Sequence, residues 1–159
     1  MRKNILLGIR TMAKLPSDLH LVIVGRQTKY QKKLDAEIKR LGIGDRIHFL
    51  QGVPNDLLAA IYNQAEAFIY PSRYEGFGIP IIEAIQSGLP VVAAMGSCLE
   101  EAGGPDCLYV GPDDVDGNAA AILSAIEHRK EIVSKSQRYV KRFENQDVAS
   151  QILEVYNKV

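Results

Sequence analysis

Two glutamates, Glu75 and Glu83, stand eight positions apart in the run Tyr70-Pro71-Ser72-Arg73-Tyr74-Glu75-Gly76-Phe77-Gly78-Ile79-Pro80-Ile81-Ile82-Glu83-Ala84. These residue types suit a polyhydroxylated ligand. An ionised carboxylate only accepts, and it takes two O–H donors at once, as the vicinal diols of a sugar or a ribose present them. Gly76 and Gly78 let the backbone approach a ligand closely. The amides entering a helix at Ile79 lack intrahelical partners and suit hydroxyl or phosphate oxygens. Acceptors from carboxylates with donors from backbone make a cradle for a sugar nucleotide. A plainer account of the same residues is a glycine turn beside two solvated glutamates, since short glycine motifs recur without function.

The flanking elements decide where such a cradle would sit. Ala67-Phe68-Ile69-Tyr70 is a short apolar run stopped by Pro71-Ser72 and predicts a buried strand. Pro80 suits the first turn of a helix whose apolar face is Ile81, Ile82, Ala84 and Ile85, with Gly88 as its stop. Pro90 to Ala94 predicts another buried strand. Elsewhere the pattern alternates in the same way. Asn4 is placed to cap a helix to about Leu15, strands are expected at Leu19 to Val24 and Arg46 to Leu50, and a helix at Tyr30 to Leu41. Asn55 is placed to cap Asp56 to Asn63. A strand near Cys107 to Val110 precedes helices at about Val115 to His128, Arg129 to Phe143 and Asp147 to Lys158. Alternation of this kind predicts an α/β fold: a doubly wound, Rossmann-like parallel sheet flanked by helices, with further helices at the C-terminus. Right-handed crossovers then bring the loops at 25–28, 50–54, 71–79 and 95–100 to one edge of the sheet, where ligands of open parallel sheets bind.

Composition narrows the function classes. The chain has 159 residues, enough for one domain with a full core, and its 47% apolar and 24% charged content is that of a globular protein. Lys plus Arg and Asp plus Glu both number 19, so no global field draws nucleic acid or anionic lipid. Cys98 and Cys107 have no metal-ligand spacing and fit a reduced, cytoplasmic setting. No metal site is expected. No stretch reaches the length of a membrane span.

Glu75-Gly76-Phe77-Gly78 through Glu83-Ala84, followed by Gly88-Leu89-Pro90-Val91-Val92-Ala93, resembles the signature of the family-four retaining glycosyltransferases of GT-B fold. Arg2-Lys3-Asn4, Leu21 to Gly25, Ile47 to Pro54 and Ala67 to Ser72 resemble that family's nucleotide-binding half in order and approximate spacing. The resemblance covers nearly the whole chain, residues 1–159 forming one donor-nucleotide-binding domain. It implies that Glu75 and the amides of Gly76, Phe77, Gly78 and Ile79 hold the transferred sugar, and that Glu83 binds the ribose hydroxyls. It also implies that Lys3 neutralises the leaving diphosphate, that Gly25 lies near the nucleotide, and that the backbone from His48 to Leu50 reads the base edge. The donor is a nucleoside diphosphate sugar, and no further cofactor is implied. The family's arginine step upstream of the lysine would fall before Met1, together with a first strand and an N-terminal acceptor-binding domain. The chain is therefore expected to be one half of the enzyme, inactive or nearly so by itself. A cytoplasmic location is implied, peripheral to the membrane at most through that other domain.

The remaining polar residues carry less. Ser97-Cys98-Leu99-Glu100 has the spacing of a capping box. His20 and His48 alternate with apolar strand residues, and His128 sits among charges at a helix end. Lys29, Lys32, Lys33, Lys39 and Arg40 read as a solvated helix face. Two other functions share the fold class: a non-catalytic nucleotide-sensing module, and an epimerase of the same architecture.

Overall fold

The structure is a computed structural model, and it describes residues 2–143. The helix expected at Asp147 to Lys158 lies outside them. In chain order the elements are α1 (Ile5–Met12), β1 (Leu21–Val24), α2 (Gln31–Leu41), β2 (Ile47–Leu50), α3 (Asn55–Gln64), β3 (Phe68–Tyr70), α4 (Ile79–Gln86), β4 (Val91–Ala94), α5 (Leu99–Gly103), β5 (Leu108–Val110), α6 (Val115–Glu127) and α7 (Arg129–Val140). Every strand pair is parallel. Helices cover both faces of the strands. One core gathers Ile9 and Met12 of α1, Leu34 of α2, Val92 of β4 and Ile122 of α6. The other gathers Tyr62 of α3, Ile81 and Ile85 of α4, Val91 of β4, Leu99 of α5 and Val140 of α7. Val91 and Val92 serve opposite cores because successive strand side chains point to opposite faces. The doubly wound α/β expectation is met.

The hydrogen-bonded ladder is not continuous, however. β1 pairs with β2, and β3–β4–β5 form a second ladder. Helix α1 lies across the break: a methyl group at Gly8 would sit 3.2 Å from Ile69 Cδ1 of β3 and 3.7 Å from Leu21 Cδ2 of β1. The Arg73 amide donates to the Arg2 carbonyl over 2.8 Å. The chain thus enters α1 from alongside the end of β3. Val22 and Val24 of β1 remain exposed.

Capping differs from expectation at three helices. Asn4 adopts a left-handed conformation (φ 51°) and makes no side-chain cap. Its Nδ2 donates instead to the Pro112 carbonyl at 2.7 Å, tying the start of α1 to the loop after β5. Helix α3 begins at Asn55 itself, with Pro54 in the cap position and no side-chain cap bond. At α5 the box is displaced: Glu100 Oε1 accepts from the Gly96 amide, and Ser97 Oγ from the Leu99 amide. Asp114, which the pattern did not single out, caps α6 by accepting from the Gly117 amide at 2.8 Å.

Arg46, just ahead of β2, is buried and has no carboxylate partner among the described residues. Its guanidinium donates to the carbonyls of Leu15, Pro16 and Leu19, which form the turn between α1 and β1. A planar fork of donors satisfies three acceptors that water reaches poorly. Arg46→Met should leave those carbonyls unpaired and lower unfolding free energy by about 1–3 kcal/mol, read by denaturant titration. A loss near zero would show that water replaces the guanidinium.

Candidate functional site

Parallel pairing places the C-terminal ends of β3, β4 and β5 side by side, with Tyr70 opposite Ala93 and Ala94 opposite Val110. The loop after β3 carries Glu75 back over that edge and into α4. Two anchors hold the loop. Arg73 forms a bidentate ion pair with Asp113 and also donates to the Pro112 carbonyl. The Cys98 thiol donates to the Glu75 carbonyl at 3.2 Å. Gly78 closes the loop in a left-handed conformation (φ 115°), and a Cβ there would lie 3.0 Å from Leu99 Cδ2 and 3.2 Å from Ala102 Cβ. Both the turn and the close approach to α5 therefore require glycine. Phe77 packs its ring edge-on against Phe143, with centroids 5.4 Å apart. Its side chain is thus a packing anchor, and only its backbone remains available to a ligand.

Lys3 and Glu75 meet although they are 72 positions apart. Lys3 Nζ donates to Glu75 Oε1 at 2.6 Å and to the Tyr70 hydroxyl at 2.7 Å. The ammonium also lies over the Tyr70 ring, 4.8 Å from its centroid. The Glu75 side chain is only 11% exposed, against 43% for Lys3. Burial works against the charged Glu75 carboxylate, but the hydrogen bond and charge of Lys3, aided by the neighbouring hydroxyls, hold it below the ordinary carboxylate range. For Lys3, burial pulls downward and is outweighed by Glu75 and Tyr70, so its pKa is raised. The Ser72 hydroxyl is buried beside this pair and closes no hydrogen bond of good geometry.

At the N-terminus of α4 the amides of residues 76–79 find no protein acceptor among the described residues. Ile79 is 62% exposed there, and a Cβ at Gly76 would meet nothing within 4 Å. The cradle is open where a ligand would enter. Glu83 lies exposed on the same helix. The Tyr62 phenol is pushed up to about 12, by burial first and then by the charges of Glu83 and Tyr70. Tyr70 touches the Lys3–Glu75 pair, and Tyr62 feels the charge of Glu83.

Gly25 and Leu50 lie at the ends of β1 and β2, where the Gly25 amide donates to the Leu50 carbonyl at 2.9 Å. His48 is two residues further back. Its ring stacks on His20, with Nε2 2.9 Å from His20 Nδ1. The histidine side chains are therefore taken up with each other. Tyr62, Tyr70, Ser72 and Cys98 are given no part in the site by sequence reasoning. Only Tyr70 carried a signal, as the last residue of a strand that ends at the ligand edge. Among the described residues no cluster of His, Cys, Asp or Glu is arranged to hold a metal ion. No described helix is long and apolar enough to cross a membrane.

Lys3, Glu75 and the open amides of α4 thus gather at the carboxyl edge of a doubly wound parallel sheet, the edge at which ligands of such sheets bind. The chain belongs to the glycosyl transferases group 1 family, which it matches over residues 1–149. It is 38% identical over 128 residues to the MMP alpha-(1->4)-mannosyltransferase of Mycolicibacterium hassiacum, covering 76% of this chain and 31% of that protein. It is 34% identical over 142 residues to the O-antigen chain mannosyltransferase RfbU of Salmonella typhimurium, covering 89% of this chain and 40% of that one. Among solved structures, sucrose-phosphate synthase from Thermosynechococcus elongatus superposes with a TM-score of 0.84 at 27% identity, over 99% of this chain and 42% of that one. The chain thus spans well under half the length of these relatives. The family and the GT-B fold expected from the glutamate segment are borne out.

The ion pair sets a pH window. The folded pKa of Glu75 lies below its unfolded value, so its stabilising contribution is present above about 4.5 and is lost as pH falls through the folded value. Lys3 behaves oppositely: its contribution is complete below 10.5 and is lost as pH rises through the raised value. The stability gap between wild type and Glu75→Gln should be flat around neutrality and close under acid. Denaturant titrations at stepped pH measure it, and a gap persisting at about pH 2, where carboxylates are protonated, would contradict the pairing.

Proposed function

We propose that this chain is the donor-binding half of a retaining hexosyltransferase, which in the whole protein moves a sugar from a nucleoside diphosphate sugar to an acceptor. The observation that carries this is the largely enclosed Glu75, paired with Lys3 beside the open amides of α4. Those amides and Lys3 are positive groups placed where a diphosphate would leave. Glu75 is an acceptor placed for the hydroxyls of the sugar, and Glu83 for those of the ribose. Gly25 and the backbone near His48 and Leu50 offer the surface for the base. In this role catalysis is positioning plus stabilisation of departing phosphate charge. The chain's own groups meet that charge, so donor binding needs no added metal.

The rest of the enzyme would supply the acceptor site and the wall that excludes water. It would also supply a strand between β1 and β3, where the ladder is broken and where Arg2 already bonds to Arg73. A reduced, cytoplasmic compartment suits the two free thiols, Cys98 and Cys107. The mannosyl-transferring relatives favour transfer over epimerisation or mere sensing.

Calorimetry without added metal should detect weak binding of at least one nucleoside diphosphate sugar from a uridine, guanosine and adenosine panel. Glu83→Gln should weaken the sugar nucleotide and its bare diphosphate alike, because both contain ribose. Glu75→Gln should weaken the sugar nucleotide, and each loss should be about 1.5–3 kcal/mol, the worth of one charge-assisted hydrogen bond. No response from any diphosphate would refute the assignment.

The chain alone should transfer no sugar, since a retaining transfer needs donor and acceptor held within reacting distance. Incubation with a bound donor and a broad acceptor extract checks this. Efficient product formation that Glu75→Ala abolishes would show that one domain suffices.

A further inference from the structure

We infer that the Lys3–Glu75 pair is a latch that a donor must open, and that it makes the site favour a diphosphate carrying a sugar over one without. This rests on the donor-binding role proposed above and goes beyond it. The two groups assigned to opposite ends of the donor, the cation for phosphate and the carboxylate for sugar, are bonded to each other at 2.6 Å. They cannot serve a ligand and each other equally. Three contacts hold the closed form: the ion pair, the 2.7 Å bond to the Tyr70 hydroxyl, and the Tyr70 ring under the ammonium.

The burial of the two partners is unequal, and that inequality gives the latch its selectivity. Lys3 is 43% exposed, so it can swing toward an incoming phosphate and keep water on its free side. Glu75 is 11% exposed, so when its counterion leaves it becomes a largely desolvated carboxylate facing an added negative charge. The hydroxyls of Tyr70 and Ser72 remain in its neighbourhood. A bare diphosphate leaves that deficit standing. A sugar on the diphosphate removes it, because two hydroxyls donate to the carboxylate that Lys3 has vacated. Recognition of phosphate and recognition of sugar are thereby coupled through one carboxylate.

The consequence runs against simple contact counting. Removing the charge of Glu75 should tighten binding of the bare diphosphate, because Lys3 is then free beforehand. The test is calorimetry of wild type and Glu75→Gln with uridine, guanosine and adenosine diphosphates and with their glucosyl or mannosyl esters. The expected result is bare diphosphate bound about two- to fivefold more tightly by Glu75→Gln, the range of a partly exposed ion pair. The preference for the sugar ester should fall by roughly tenfold or more, once the loss of the sugar contact is added. A second measurement needs no variant. In the wild type, bare diphosphate should shift the Lys3 side-chain carbon resonances and raise the titration midpoint of Glu75, while the sugar ester should shift Lys3 and leave Glu75 low.

Unchanged or weaker binding of bare diphosphate by Glu75→Gln overturns the latch, as does a Lys3 resonance that stays still when wild type binds diphosphate. Either result leaves the donor-binding role standing. Silence from every diphosphate with both proteins overturns the role and the latch together, so the two failures are told apart.

Discussion

Parallel pairing is the constraint on which the rest of this structure depends. A parallel neighbour cannot be reached by a hairpin, so each strand must be followed by a crossover that returns the chain to the opposite end. Here α2, α3, α4 and α5 make those returns, and their apolar faces bury the strands from both sides. The same constraint puts the exits of β3, β4 and β5 on one edge. Loops that follow these strands therefore share one surface without any direct attraction between them. A site assembled from residues 3, 70, 75 and 83 becomes possible for that reason.

The loop carrying Glu75 is held by packing on the side away from solvent. Gly78 touches Leu99 and Ala102 of α5, and Phe77 sits against Phe143. One layer further, Gly104 turns left-handed (φ 77°) under the ring of Tyr139, where a Cβ would fall 2.5 Å from ring carbons. The Tyr139 hydroxyl donates to the Glu101 carbonyl at 2.9 Å. Helix α7 thus braces α5, which braces the start of α4. The open amides at residues 76–79 are kept in place by apolar contacts behind them, which leaves their polar side free for a ligand.

A carboxylate as enclosed as that of Glu75 stays ionised only with a partner. Lys3 provides the charge, and Tyr70 fixes the ammonium from a second direction. The arrangement stores polarity in a cleft that a diphosphate and a sugar can take over piece by piece.

The alternation of apolar runs with helical patterns determined the α/β class, and Gly76, Gly78, Pro80 and the two glutamates marked the candidate site, because periodicity and backbone requirements are local properties of a chain. Strand edges were legible to within a residue or two for the same reason. Asn4 and Asn55 show where local preference stopped: their amides had been placed as caps, but the Pro112 carbonyl claimed the first and helix α3 simply began at the second. Tertiary structure alone decided that Lys3 closes on Glu75, that Tyr70 joins the site, that His48 turns to His20, and that the ladder breaks between β1 and β3. Each of these joins residues far apart in the chain or depends on which strand lies beside which. No spacing along a sequence encodes a contact whose existence depends on how every intervening element has packed.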